Sequence, residues 1–244
     1  MYISDNGWRA KIGVLLPSIN TVVEQFFNRV APEGVSFHAA RMTLKAATAQ
    51  AAGEMGEAAL EAAAQVADCG VDAIAYCCTA GGFSRGSGYD KELAEKIKTR
   101  FGLPCITATA SILKAFDTLG MKRVVSFGPY TLDVHELEVK YFEENGIEIT
   151  HSKFMGITTL LGLAEPSPGE IYRLAKATWD ERPDADGLFI GCLNFRAHDV
   201  IQALENYTGR PVVTSSQATL WAVLRLAGIR DSISGYGRLM LSPT

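Results

Sequence analysis

The chain has 244 residues, 48% apolar or aromatic and 20% charged, which is ample for a large buried core and too apolar for a disordered chain. Its 23 Lys and Arg against 27 Asp and Glu leave a formal charge of −4 with no basic cluster, so a nucleic-acid backbone is excluded as a partner. No apolar run approaches the roughly 18 residues that span a bilayer. The polar start, Met1 to Lys11, lacks the pattern of a signal peptide, and a reducing, cytoplasmic setting is the expectation.

In chain order, Lys11 to Leu16 reads as a compact strand ending at Pro17, and Gly34 to Met42 as a second, looser strand. Glu54 to Ala67 has helical spacing and stops at Gly70; Ala73 to Cys78 is a buried strand running into the turn-rich Thr79 to Gly88. Pro104 to Thr109 is a strand that leads into a helix, Ser111 to Leu119. The order then restarts: strand Arg123 to Phe127, helix Leu132 to Asn145, strand Ile147 to Met155, helix Gly169 to Asp180. Strand Gly187 to Cys192, helix Asp199 to Tyr207, strand Pro211 to Ser215 and a helix through Leu226 complete the alternation. Such alternation predicts an α/β fold of parallel sheets covered by helices.

An internal repeat divides the chain. Pro104 to Ala115 can be laid without gaps on Pro211 to Ala222, with Pro, Thr, Leu and Ala identical. A strand-end proline precedes a strand-end cysteine by 61 residues from Pro17 to Cys78 and by 63 from Pro129 to Cys192. The prediction is two pseudo-symmetric, flavodoxin-like lobes: residues 1–113, with 222–244 packing back on them, and residues 114–221. A ligand cleft is expected where the carboxyl ends of the strands meet.

The chemistry-bearing residues cluster at those ends. Cys78 lies where an apolar strand turns polar and Gly-rich, and Cys192 sits at the equivalent place; Cys77 faces the other way, and Cys69 and Cys105 read as core. Four histidines, with no CxxC, make no metal set, and no cofactor-binding motif is present, so neither metal nor cofactor is expected. Ser18 and Asn20 follow the first strand, where such residues commonly cap a helix. Thr79 and Thr214 share that assignment. Tyr130 is a strand-end hydrogen-bond donor, and His198, with no acidic partner in a recognisable motif, reads as a surface or capping residue.

Paired strand-end cysteines in two α/β lobes resemble the aspartate/glutamate racemase superfamily, and within it the branch of maleate cis–trans isomerases and arylmalonate decarboxylases. Pro17-Ser-Ile-Asn-Thr-Val-Val-Glu24, Cys78-Thr-Ala-Gly and Cys192-Leu-Asn-Phe-Arg196 are similar to the isomerases. Gly82-Phe-Ser-Arg-Gly86, Gly156-Ile-Thr-Thr-Leu160, Arg225-Leu-Ala-Gly228 and Gly235-Tyr-Gly-Arg-Leu239 are similar to the decarboxylases. Decarboxylases of this kind keep only the second cysteine, with glycine at the first, and this chain has Cys78. Leu160 stands near where an isomerase would offer an asparagine, and with Leu163 it reads as an apolar wall.

The resemblance implies a cofactor-independent enzyme acting on a small carboxylate, with Cys78 and Cys192 as catalytic residues on opposite substrate faces. Pro17, Ser18, Asn20, Thr79, Ala80, Tyr130, Leu160, Leu193 and Asn194 would bind substrate. Maleate-to-fumarate isomerisation through a covalent cysteine adduct is the leading expectation. Decarboxylation of an α-substituted malonate with Cys192 as proton donor is the alternative, followed by two-base racemisation and by a non-catalytic carboxylate-binding protein. Membrane partners are not expected, and homo-oligomerisation is left open.

Overall fold

The computed structural model describes residues 7–243, so residues 1–6 of the polar start and Thr244 of the tail lie outside the described residues. The first lobe runs β1 (Ala10–Pro17), α1 (Val23–Val30), β2 (Val35–Met42), α2 (Ala49–Glu54), α3 (Gly56–Ala67), β3 (Ala73–Tyr76), α4 (Thr79–Phe83), α5 (Tyr89–Phe101), β4 (Cys105–Thr107) and α6 (Ala108–Leu119). The second runs β5 (Arg123–Gly128), α7 (Leu132–Glu144), β6 (Glu148–Phe154), α8 (Pro168–Trp179), β7 (Gly187–Ile190), α9 (Ile201–Thr208), β8 (Val212–Thr214) and α10 (Ser215–Leu226). Short 3₁₀ turns cover Leu161–Ala164, Arg196–Asp199 and Arg238–Leu241.

Both sheets are four-stranded and parallel, ordered β2-β1-β3-β4 and β6-β5-β7-β8. The two orders are the same once renumbered, so the repeat in the sequence is a repeat in topology. Central strands β3 and β7 are buried along their whole length, as their unbroken apolar sequences require when helices cover both faces. Edge strand β6 reads Glu-Ile-Thr-His-Ser-Lys-Phe and is only partly buried.

The segments matched by the repeat do the same job in both lobes. Thr107 Oγ1 accepts from Ala110 N at 3.1 Å to cap α6, and Thr214 Oγ1 accepts from Gln217 N at 3.2 Å to cap α10. Gln217 returns a bond to Thr214 N, which completes a capping box. Four helices have no counterpart among the elements read in chain order: α1, which only the capping positions Ser18 and Asn20 implied, α2, α4, which read as part of a turn-rich stretch, and α5. In the polar α5, Tyr89, Leu93, Ile97 and Phe101 form a four-residue apolar row that seats it on the first lobe.

The last helix of each lobe reaches across to the other. Helix α6 packs on α10 and β8, while α10 packs on β3 and β4. Phe116 of α6 meets Phe189 of β7 edge-on, with centroids 5.6 Å apart. One continuous apolar cluster therefore contains Ile12, Val14 and Ala75 of the first sheet together with Val125, Phe189 and Trp221. The tail is tied to both lobes rather than only to the first. Asp231 pairs with Arg9 at 2.6 Å, and Arg238 N donates to Glu205 Oε2 at 3.0 Å.

Trp221 lies fully buried in this shared layer and donates through Nε1 to Ser242 O at 3.1 Å. Trp221→Ala is expected to lower unfolding free energy by about 3–5 kcal/mol, the range for emptying a large aromatic site. Urea unfolding followed by far-UV circular dichroism measures it.

Candidate active site

Four strand ends converge on one cleft. Pro17 closes β1, Cys78 follows β3, Tyr130 follows β5 and Cys192 follows β7. The cleft is partly open to solvent and spans about 570 Å³ with that open space included, and both Cys78 and Cys192 line it. Of the other sequence-predicted residues, Pro17, Asn20, Thr79, Ala80, Tyr130, Leu160, Leu193 and Asn194 also line it.

Ser18 does not belong to that lining. It is exposed, and its hydroxyl accepts from Leu44 N at 3.1 Å, anchoring the start of the segment before α2. Ile19 takes its place in the wall. Asn20 does what its position suggested: its Oδ1 accepts from Val22 N and Val23 N at 3.0 and 2.9 Å, holding the entry to α1. Asn194 lines the cleft, but its side chain is used to join the lobes. Its Oδ1 accepts from Thr21 N at 2.9 Å and its Nδ2 donates to Ile19 O at 3.4 Å. Arg41 of β2 steadies the same loop by donating to Asn20 O at 2.8 Å and pairing with Glu24.

The surroundings of the two thiols differ. Cys78 is the N-cap of the short α4, and its Sγ accepts from Gly81 N at 3.3 Å. A Cβ on Gly81 would lie 2.4 Å from the Tyr76 hydroxyl and 3.2 Å from that sulfur, so only glycine allows this approach. Cys192 has φ of 76°, the only left-handed non-glycine residue among those described. Such a backbone is strained by about 1–3 kcal/mol and persists where the surroundings enforce it. Cys77, on the opposite face of the strand, is fully buried in the core, as expected.

Burial governs the protonation of every group here. It pushes Cys78 up to about 11, against the opposing pull of the Gly81 N–H and the Tyr76 hydroxyl. It pushes Cys192 up to about 12, opposed by the Asn194 N–H and the Tyr130 hydroxyl. Tyr130 is likewise raised well above its ordinary value, by burial first. The Thr79 hydroxyl is buried with no hydrogen-bond partner. The rest of the lining is Leu44, Ala46, Ala47, Ala52, Val134, Ile157 and Leu163, the buried Cys77, and the small polar Thr48 and Thr131, and no charged side chain is among them.

Chain-wide similarity agrees with this arrangement. The arylmalonate decarboxylase family matches residues 12–240. The chain belongs to that family. It is 28% identical to the arylmalonate decarboxylase of Bordetella bronchiseptica over 229 residues, 93% of this chain and 95% of that protein. It is 25% identical to the maleate isomerase of Pseudomonas putida over 242 residues, 94% and 96% of the two chains. The fold superposes with a TM-score of 0.90 on a cysteine-to-alanine variant of maleate isomerase from Pseudomonas putida S16 with maleate, at 26% identity and covering 96% and 98% of the chains. The chain is thus an enzyme of the maleate isomerase and arylmalonate decarboxylase branch.

Sequence reasoning missed the first-lobe wall from Leu44 to Ala52, which carries no chemical motif and is recruited by the fold alone. It also misplaced Cys69, which is exposed rather than core, and His198. That ring is buried, stacks on Phe26 with centroids 4.0 Å apart, and lies outside the cleft lining. Among the described residues no helix is long and apolar enough to cross a membrane.

Two measurements follow. Because the thiolate is the reactive form and Cys78 titrates near 11, its iodoacetamide rate is expected to rise about tenfold per pH unit from pH 7 to 10. Cys77 should stay unlabelled, as peptide mass spectrometry would report. For His198, burial lowers the folded-state value to about 4, below roughly 6.5 in the unfolded chain. The unfolded chain therefore takes up the proton first. The stability contributed is full above about pH 6.5 and is lost as pH falls through that window toward 4. The urea midpoint should drop between pH 7 and 5 in the wild type, and less in His198→Gln.

Proposed function

We propose that the enzyme isomerises a small unsaturated carboxylic acid with two thiols and no cofactor, with maleate to fumarate as the defining reaction. The observation that carries this reading is that Cys78 and Cys192, from the corresponding strand ends of two lobes, line the same cleft. A carbon–carbon double bond does not rotate at ambient temperature, so catalysis requires a temporary single bond.

The reacting pair is Cys78 as thiolate and Cys192 as thiol. The Cys78 sulfur adds to one alkene carbon, while the neighbouring carbon takes the proton of Cys192, which is left as thiolate. The central bond rotates. Cys192 then removes a proton from that carbon, the carbon–sulfur bond breaks, and Cys78 leaves as thiolate with the trans acid released. Holding Cys78 ionised at pH 7, about four units below its value in the empty cleft, costs about 5 kcal/mol. That value already includes the pull of the Gly81 N–H and the Tyr76 hydroxyl. Asn20, Thr79 and Tyr130, with the backbone after each cysteine, form the polar end that would hold a carboxylate and the charge developing on it.

One observation favours a second reading. A second carboxylate would lie against Leu44, Ala46, Ala47, Leu160 and Leu163 with no counter-charge in the lining. An α-substituted malonate would place its apolar substituent there instead. Loss of CO₂ would leave an enediolate at the polar end, and Cys192 would protonate it on one face.

Purified enzyme is incubated with maleate, phenylmalonate and a single-enantiomer 2-arylpropionate in deuterated buffer and followed by NMR. Fumarate formation is expected, and Cys78→Ala should slow it by at least about 10²-fold. Decarboxylation of phenylmalonate that survives Cys78→Ala but not Cys192→Ala would establish the second reading. A maleate rate unchanged in Cys78→Ala would rule out the adduct. Deuterium entering the arylpropionate α-carbon alone would mark a racemase, and binding without turnover of any substrate would mark a non-catalytic protein.

A further inference from the structure

Behind Cys192 lies an acid that the mechanism above does not use. Glu138 of α7 is fully buried. Its Oε1 accepts from Ser126 Oγ at 3.1 Å, and its Oε2 has no hydrogen-bond partner. A Cβ built on Gly191 would lie 2.8 Å from that Oε2 and 3.1 Å from the Tyr130 ring. The carboxyl and the ring therefore rest side by side against the backbone that leads into the left-handed Cys192. Only a residue without a side chain leaves room for both.

This feature breaks the two-fold repeat. The core-facing residues of α1 are Val23, Phe26, Phe27 and Val30, all apolar, and Cys77 rather than glycine precedes the first thiol. Burial pushes Glu138 up to about 8, with the Ser126 hydroxyl pulling the other way, so it carries a proton at neutral pH. The titratable groups facing it are Tyr130 and Cys192, and a charge on Glu138 opposes ionisation of both. The α4 segment packed on α7, Thr79–Phe83, brings no charge. On α7 itself His135 turns to Ser152 of β6, and Tyr141 donates to Asp90 of α5 at 2.5 Å. The basic His151 and Lys153 of β6 are paired with Glu181.

We propose that Glu138 is a positioning residue that makes the two thiols unequal: as a neutral acid between Ser126 and Gly191 it fixes the Tyr130 ring and the Cys192 turn, and as an anion it holds the proton on Cys192. It rests on the reading of Cys192 as the proton-carrying thiol; the buried group in the corresponding place beside Cys78 is the Tyr76 hydroxyl rather than a carboxyl. Glu138 touches neither substrate nor reacting atoms and acts through its neighbours.

The test needs no substrate, so its outcome is separate from that of the substrate panel. Iodoacetamide labelling of Cys192 is followed by peptide mass spectrometry from pH 6.5 to 10 in the wild type and in Glu138→Gln, with the exposed Cys69 as internal reference. Equal rates are expected at pH 6.5. Above pH 9 the Gln variant should label roughly three- to tenfold faster, since the charge that opposes ionisation of Cys192 has been removed. A ratio that stays constant across the range would mean a purely structural role and would overturn the proposal. A second measurement uses only the wild type: the Glu138 carboxyl ¹³C resonance should titrate near pH 8. A midpoint in the ordinary glutamate range, about 4.3, would overturn the proposal even if the variant failed to fold.

Discussion

Packing of α6 against α10 is the constraint on which the rest of the molecule depends. Each helix follows the last strand of its own sheet and covers part of the other sheet, so the two sheets share one apolar layer. Parallel sheets direct all their carboxyl ends one way, and two sheets joined through reciprocal helices can point those ends into a common space. Phe116, Phe189 and Trp221 fill the joint, and separating the lobes would expose them at about 1.5–3 kcal/mol for each large side chain. The cleft is therefore bounded by a packed core, with Asn194 tying its loops together on the solvent side.

Burial of the reactive groups follows from that geometry and sets the electrostatics. Cys78, Cys192, Tyr130 and Glu138 all titrate above their ordinary values, and burial is the leading cause for each. The low local dielectric makes a charge expensive, and it also makes each remaining dipole effective. Each sulfur has one backbone N–H and one tyrosine hydroxyl pulling against burial, Gly81 and Tyr76 at Cys78, Asn194 and Tyr130 at Cys192. The strained backbone at Cys192 fits the same logic, because a left-handed cysteine persists only when its neighbours over-determine its place.

Much of this was legible in the chain. The alternation of apolar strands and amphipathic helices follows from local periodicity, and the resemblance of Pro104–Ala115 to Pro211–Ala222 predicted two lobes of like topology. Strand ends can be read where an apolar run turns polar, and this marked Cys78, Tyr130 and Cys192, while Thr79 and Leu193 entered through the family resemblance; all five line the cleft. Ser18 satisfied the same rule and still lies outside, because a one-residue offset at the end of β1 turns Ile19 inward and leaves the Ser18 hydroxyl to Leu44 N. His198 carried no apolar signal of its own. Its burial depends on Phe26, which is 172 residues away in sequence and stacked on it in space.

Local composition and short repeated strings carry the fold class, the duplication and the two strand-end thiols that line one cleft. Which groups are buried together follows only from the packing of the two lobes. That packing set Glu138 behind Gly191, spent the Asn194 amide on lobe closure, and brought Leu44 to Ala52 over the cleft. Burial and desolvation are sums over neighbours far apart along the chain, so they take their values only once the two lobes have packed together.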